Sequence, residues 1–102
     1  MGNEKIKVIN KEEFKKEVLG SKEPVLVDFY ADWCGPCRMM GPVMEEVSKQ
    51  YKVFKVNTDN EEELAAEYGI MSIPCVIAFK DGKEINRSIG YVSKDKIIDL
   101  IK

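Results

Sequence analysis

Histidine is absent from this chain, and that absence excludes more than any motif would. Without an imidazole the chain alone cannot build a Ser-His-Asp triad, a Cys-His nucleophile pair, a His-ligated zinc centre or a His-held haem. Acid–base chemistry near neutral pH then falls to cysteine, or to a carboxylate or lysine moved from its usual pKa. Long apolar runs are missing as well, and the longest falls far short of the roughly 18 residues that span a bilayer. Charge of one sign is also lacking: 16 Lys and Arg face 18 Asp and Glu, for a net charge of −2. Both signs are spread along the chain, so neither nucleic acid nor an anionic membrane is an expected partner. The first residues, MGNEKIKVIN, hold no apolar leader, and Ile6 stands where a myristoylation signal at Gly2 would want Ser or Thr. A cytoplasmic location is expected.

What is present is enough for one packed core. At 102 residues with 44% hydrophobic side chains, the chain is expected to form a single domain over residues 1–102. Lys5–Ile9 reads as a short strand. Asn10 with Glu13 forms a capping box, Ile9 and Phe14 supply its hydrophobic staple, and Gly20 closes the helix. Val25–Ala31 (VLVDFYA) has the nearly continuous apolar character of a strand covered on both faces. A long helix should follow from about Cys34 to Tyr51, buried along Met40, Val43, Met44, Val47 and Tyr51 and kinked at Pro42. Val53–Asn57 reads as a strand, Asn60 with Glu63 as a second capping box, and Gly69 as the end of a short helix. Val76–Lys80 and Glu84–Ile89 form a hairpin about Asp81-Gly82, and Ser93 caps a last helix carrying Ile97, Ile98 and Ile101. Right-handed crossovers then give an α/β fold, a mixed central sheet of about five strands flanked by four helices.

The chemistry lies in the cysteines. Three cysteines cannot all pair, and the loop closed by Cys34 and Cys37 is so short that bridging it gains only about 2 kcal/mol. Zinc wants four ligands; a cluster bridged between two chains stays open, but a dithiol that opens and closes fits better. The pair sits where a buried strand gives way to a helix. There the unpaired N–H groups and the helix dipole stabilise a Cys34 thiolate, which makes Cys34 the nucleophile and Cys37, one turn further in, the resolving thiol. Pro36 is tolerated in the first turn, and Trp33 with Gly35 leaves a flat apolar rim for a polypeptide. Asp28, in the middle of VLVDFYA, should be buried with a raised pKa.

The segment Val27-Asp28-Phe29-Tyr30-Ala31-Asp32-Trp33-Cys34-Gly35-Pro36-Cys37 resembles the active-site segment of the thioredoxin family, and the likeness covers essentially the whole chain. The resemblance implies the thioredoxin fold and a thiol–disulfide oxidoreductase that reduces protein disulfides and carries electrons from a thioredoxin reductase to client proteins. It implies no cofactor beyond the redox-active cysteines, and no G-x-G-x-x-G or P-loop is present. It also implies that Asp28 exchanges protons with Cys37 and that Lys55 modulates Asp28. Ile73-Pro74 should form a cis peptide whose backbone pairs with an extended client segment, with Gly90 and Tyr91 on the other wall of that groove. Expected clients resemble the family's: ribonucleotide reductase, peroxidases and methionine sulfoxide reductase, met by a monomer. Two other readings share the fold, a disulfide isomerase or oxidant and a binding subunit with an incidental dithiol. The chain departs from the common family pattern at Tyr30, Arg38 and Cys75, where Trp, Lys and Thr are frequent. Cys75 is expected to be a small buried hydrophobe rather than a redox participant.

Overall fold

A computed structural model describes residues 6–102; Lys5 and Gly2 lie outside the described residues. The elements run β1 (Lys7–Val8), α1 (Lys11–Phe14, continuing as a π-helical stretch over Lys15–Leu19), β2 (Val25–Tyr30), α2 (Gly35–Ser48), β3 (Lys52–Asn57), α3 (Glu62–Glu67), β4 (Cys75–Lys80), β5 (Lys83–Ile89) and α4 (Lys94–Asp99). The sheet has five strands in the order β1-β3-β2-β4-β5. β1, β3 and β2 are parallel, while β4 is antiparallel to both β2 and β5. This is the mixed α/β architecture expected from the sequence, with β2 at the centre.

Alternation along the strands divides the core into two layers. Val25, Val27 and Phe29 of β2 face Phe14 of α1 and Leu64 of α3, together with Cys75, Ile77 and Phe79 of β4. Leu26 faces the opposite way, against Met40, Met44 and Val47 of α2 and Ile97 of α4. Asp28 has the parity of Leu26, so its carboxyl is carried into the layer beneath α2. Parity thus sends Asp28 and Cys75 to opposite sides of the sheet.

The local signals were mostly obeyed. Asn10 accepts the Glu13 N–H at 2.8 Å while the Glu13 carboxylate accepts the Asn10 N–H at 3.0 Å, the reciprocal capping box. Asp81 and Gly82 both have positive φ (54° and 78°), as a tight hairpin turn requires. Helix α2 continues through Pro42 and ends at Ser48 rather than Tyr51. One expectation fails: Asn60 does not cap α3. The N–H groups of Asn60 and Glu61 both turn back to the Asn57 carbonyl (3.1 and 3.0 Å), which moves the helix start to Glu62 with Glu61 in the cap position. The Glu61 carboxylate is used elsewhere, accepting the Lys11 N–H at 3.0 Å and tying α3 to α1.

Candidate active site

The dithiol stands at the junction that the sequence suggested. Cys34 is the N-cap residue of α2, in extended conformation (φ −87°, ψ 113°), and its Sγ accepts the Cys37 N–H at 3.2 Å. Gly35 and Pro36 fill the first turn, so that Cys34 and Cys37 come together with Cα atoms 5.2 Å apart and their sulfurs joined as a disulfide. When this bond is reduced, a charge on Cys34 meets the same N–H and the positive end of a helix 14 residues long. Exposure does not distinguish the two cysteines, since each is 4% accessible. Their surroundings do.

Cys34 faces the loop that precedes β4. Its Sγ lies 3.8 Å from the Ile73 carbonyl oxygen, and Ile73-Pro74 is a cis peptide. The Gly90 N–H donates to the Pro74 carbonyl at 2.7 Å, with Gly90 at φ 91°, a conformation that favours glycine. This bond brings the Gly90 turn against the loop beside the sulfurs. Trp33, Ile89 and Tyr91 are exposed around it, as is Met71, and Gly35 and Pro36 are exposed at the helix start.

Cys37 faces the other way, into a cleft of about 300 Å³ lined by Tyr30, Ala31, Asp32, Cys37, Arg38, Gly41 and Lys55. Asp28 shares the face of β2 that carries Tyr30 and is wholly inaccessible, and neither carboxylate oxygen has a hydrogen-bond partner. Burial pushes its pKa from 3.8 up to about 7, with the Lys55 charge pulling the other way. Lys55 is directly opposite Asp28 in the register of β2 and β3 and is itself nearly buried, at 8%. Its ammonium rests 4.3 Å from the centre of the Tyr30 ring. Asp28 is therefore no surface carboxylate of an edge strand; it is a buried acid that titrates near neutrality, the property that a protonic partner for a thiol needs.

Cys75 does not belong to this constellation. It is 1% accessible, sits in the layer of Phe14 and Phe29, and burial raises its pKa. One contact escaped the sequence: the Trp33 indole N–H donates to Asp59 Oδ2 at 3.0 Å. The two residues are far apart in the chain. They meet because the loops leaving neighbouring parallel strands emerge side by side, with Tyr30 opposite Asn57. Among the described residues no group of three or more His, Cys, Asp or Glu is placed to hold a metal ion. None of their helices is long and apolar enough to cross a membrane.

Comparison with known proteins gives a consistent result. Residues 5–102 match the Thioredoxin family model. The chain is 50% identical to "Thioredoxin 1" of Synechococcus elongatus, over 86% of each chain, and 53% identical to "Thioredoxin 1" of a Nostoc species, over 79% of each. Among solved structures, a mutant thioredoxin from Halobacterium salinarum superposes with a TM-score of 0.86 at 37% identity, covering 94% of this chain and 86% of that one.

Proposed function

The chain belongs to the thioredoxin family of thiol–disulfide oxidoreductases, and from that premise we propose that it acts as a reductant of protein disulfides, with Cys34 as nucleophile and Cys37 as resolving thiol. The Cys34 thiolate attacks one sulfur of a client disulfide. The client S–S bond breaks, its other sulfur leaves as thiolate, and Cys34 is held in a mixed disulfide. Cys37 gives its proton to ionised Asp28 and attacks the Cys34 sulfur, releasing the second client thiolate. Two electrons have then passed to the client, and the Cys34–Cys37 bond has formed. The observation that carries this reading is the two-sided placement of the pair, Cys34 at the helix cap beside Ile73 and Cys37 on a cleft that it shares with Lys55, the residue opposite Asp28 in the sheet.

In this reading the client lies extended along Ile73 and Pro74, bordered by Trp33, Gly35, Pro36, Gly90 and Tyr91, and Lys55 moderates the acidity of Asp28. The redox-active disulfide is the family's own working group, and reductases and disulfide-bearing proteins are its general partners. A thioredoxin reductase regenerating this chain, a monomeric state, work as one domain and a cytoplasmic location complete the proposal.

Reduction of insulin disulfides with dithiothreitol as electron source tests it. Cys34→Ser and Cys37→Ser should each abolish turnover, and Cys37→Ser alone should accumulate mixed disulfides with clients. Turnover surviving in Cys34→Ser would remove the nucleophile assignment. A potential more oxidising than the glutathione pool would reverse the proposed direction and favour an oxidant or isomerase.

A further inference from the structure

Lys55 has a choice of partners, and the one it takes is unexpected. On the α2 side of the sheet, β2 presents Leu26, Asp28 and Tyr30 in a row, and β3 presents Val53, Lys55 and Asn57 directly opposite them. Lys55 therefore faces Asp28 squarely and Tyr30 one step along the strand. A buried carboxylate opposite a lysine would ordinarily form an ion pair. Here the carboxylate oxygens have no partner, and the ammonium rests 4.3 Å from the Tyr30 ring centre, within the range of a cation–π contact. Tyr30 and Lys55 both line the cleft that reaches Cys37.

We infer that Tyr30 is a positioning residue for the resolution step: its ring face holds the Lys55 ammonium and keeps it from pairing with Asp28. This rests on the proton-transfer reading of Asp28 and deepens it. An Asp28–Lys55 ion pair would fix the carboxyl in its ionised form, able to accept a proton only at acid pH. With the ammonium drawn to the ring, the carboxyl stays unpaired and can both take and return the Cys37 proton. The charged and titratable groups facing this space are Tyr30 and Lys55 from the strands, Asp32 from the following loop, and Cys37 and Arg38 from α2. β4 and α4 meet the layer through Val76, Ala78 and Ile97, all apolar. Arg38 is engaged with the Asp32 carbonyl, to which its Nε and Nη2 donate at 3.3 and 3.2 Å, so among the cleft-lining residues Lys55 is the cation left to pair.

The test follows the Asp28 carboxyl carbon by NMR in the disulfide form, where the thiols do not titrate, alongside the pH profile of mixed-disulfide resolution in the reduced protein. Tyr30→Leu should lower the Asp28 midpoint by at least about one pH unit as the ammonium moves onto it, and the resolution profile should shift the same way. Tyr30→Trp, which keeps a ring face, should hold the midpoint. Because Tyr30→Leu also loosens packing, Lys55→Met supplies a second arm: it should raise the midpoint, and adding Tyr30→Leu to it should then change nothing. An unchanged or raised midpoint in Tyr30→Leu, or an undiminished Tyr30 effect without Lys55, overturns the inference. Failure of the underlying reading looks different: Asp28→Asn would then leave the resolution profile intact while the midpoint still answered to Tyr30.

Discussion

Replacing Asp28 by asparagine should shift stability increasingly in the variant's favour as the pH rises. The carboxyl is inaccessible and unpartnered, and burial raises its pKa from 3.8 to about 7. Between those values the folded protein holds a proton that the unfolded chain has released. Stability must therefore fall as pH rises through this window, by about 1.4 kcal/mol per pH unit. Across a gap of roughly three units the loss comes to about 4 kcal/mol, fully present once the folded carboxyl ionises above pH 7. Asparagine keeps the shape without the charge. Its buried amide adds a penalty of about 1–3 kcal/mol, but that offset does not vary with pH. Guanidinium chloride unfolding of the disulfide forms, from about pH 4 to about pH 8, should show the difference between variant and wild type growing by about 4 kcal/mol in favour of the variant. A difference that stays flat over that range, or that grows in favour of the wild type, would refute the assignment of Asp28 as an unpaired buried acid.

Cys75 should be silent in the native state: thiol titration of the reduced protein should modify the Cys34 thiolate first and Cys75 only after unfolding, because it is buried with a raised pKa. Cys75→Thr should leave the dithiol potential unchanged and cost about 1 kcal/mol for the buried hydroxyl; a shifted potential would mean that the sheet does not insulate the two faces. Asp59→Ala removes the acceptor of the Trp33 indole, so tryptophan anisotropy should fall and the KM for a protein disulfide should rise a few-fold while stability changes by less than about 1 kcal/mol. Unchanged anisotropy and KM would show that the bond does not orient Trp33 for a client.

The sheet was legible because its strands carry their own evidence. VLVDFYA, apolar in both parities, describes a strand covered on two sides, and β2 is the central strand of the sheet. The Asp81-Gly82 turn and the Asn10 capping box depend on neighbours in sequence, and local chemistry was sufficient for both. The Asn60 cap depended on more than its spacing. Once the Asn57 carbonyl collects the Asn60 and Glu61 N–H groups, the helix begins one residue later than a side-chain cap at Asn60 would require. Trp33 and Asp59 were illegible for a different reason, since only the parallel pairing of β2 and β3 brings their loops together. Cys75 falls between these cases: its parity on β4 could be counted, but the face it occupies needed the register with β2.

The same register explains how a chain without histidine holds a carboxyl raised toward neutral pH. Asp28 reaches that range because it is desolvated and left unpaired, although the lysine that could pair with it sits directly opposite. Desolvation comes from α2 and β4, whose apolar side chains fill the layer into which Asp28 points. The second condition needs a competing site for the ammonium, and the Tyr30 ring, on the same face of the same strand, is within reach of it. The arrangement is thermodynamically costly, by the pH-dependent loss of stability that Asp28→Asn should abolish. That cost and the neutral pKa have one origin, so a variant that relieves the first without moving the second would break the link between them.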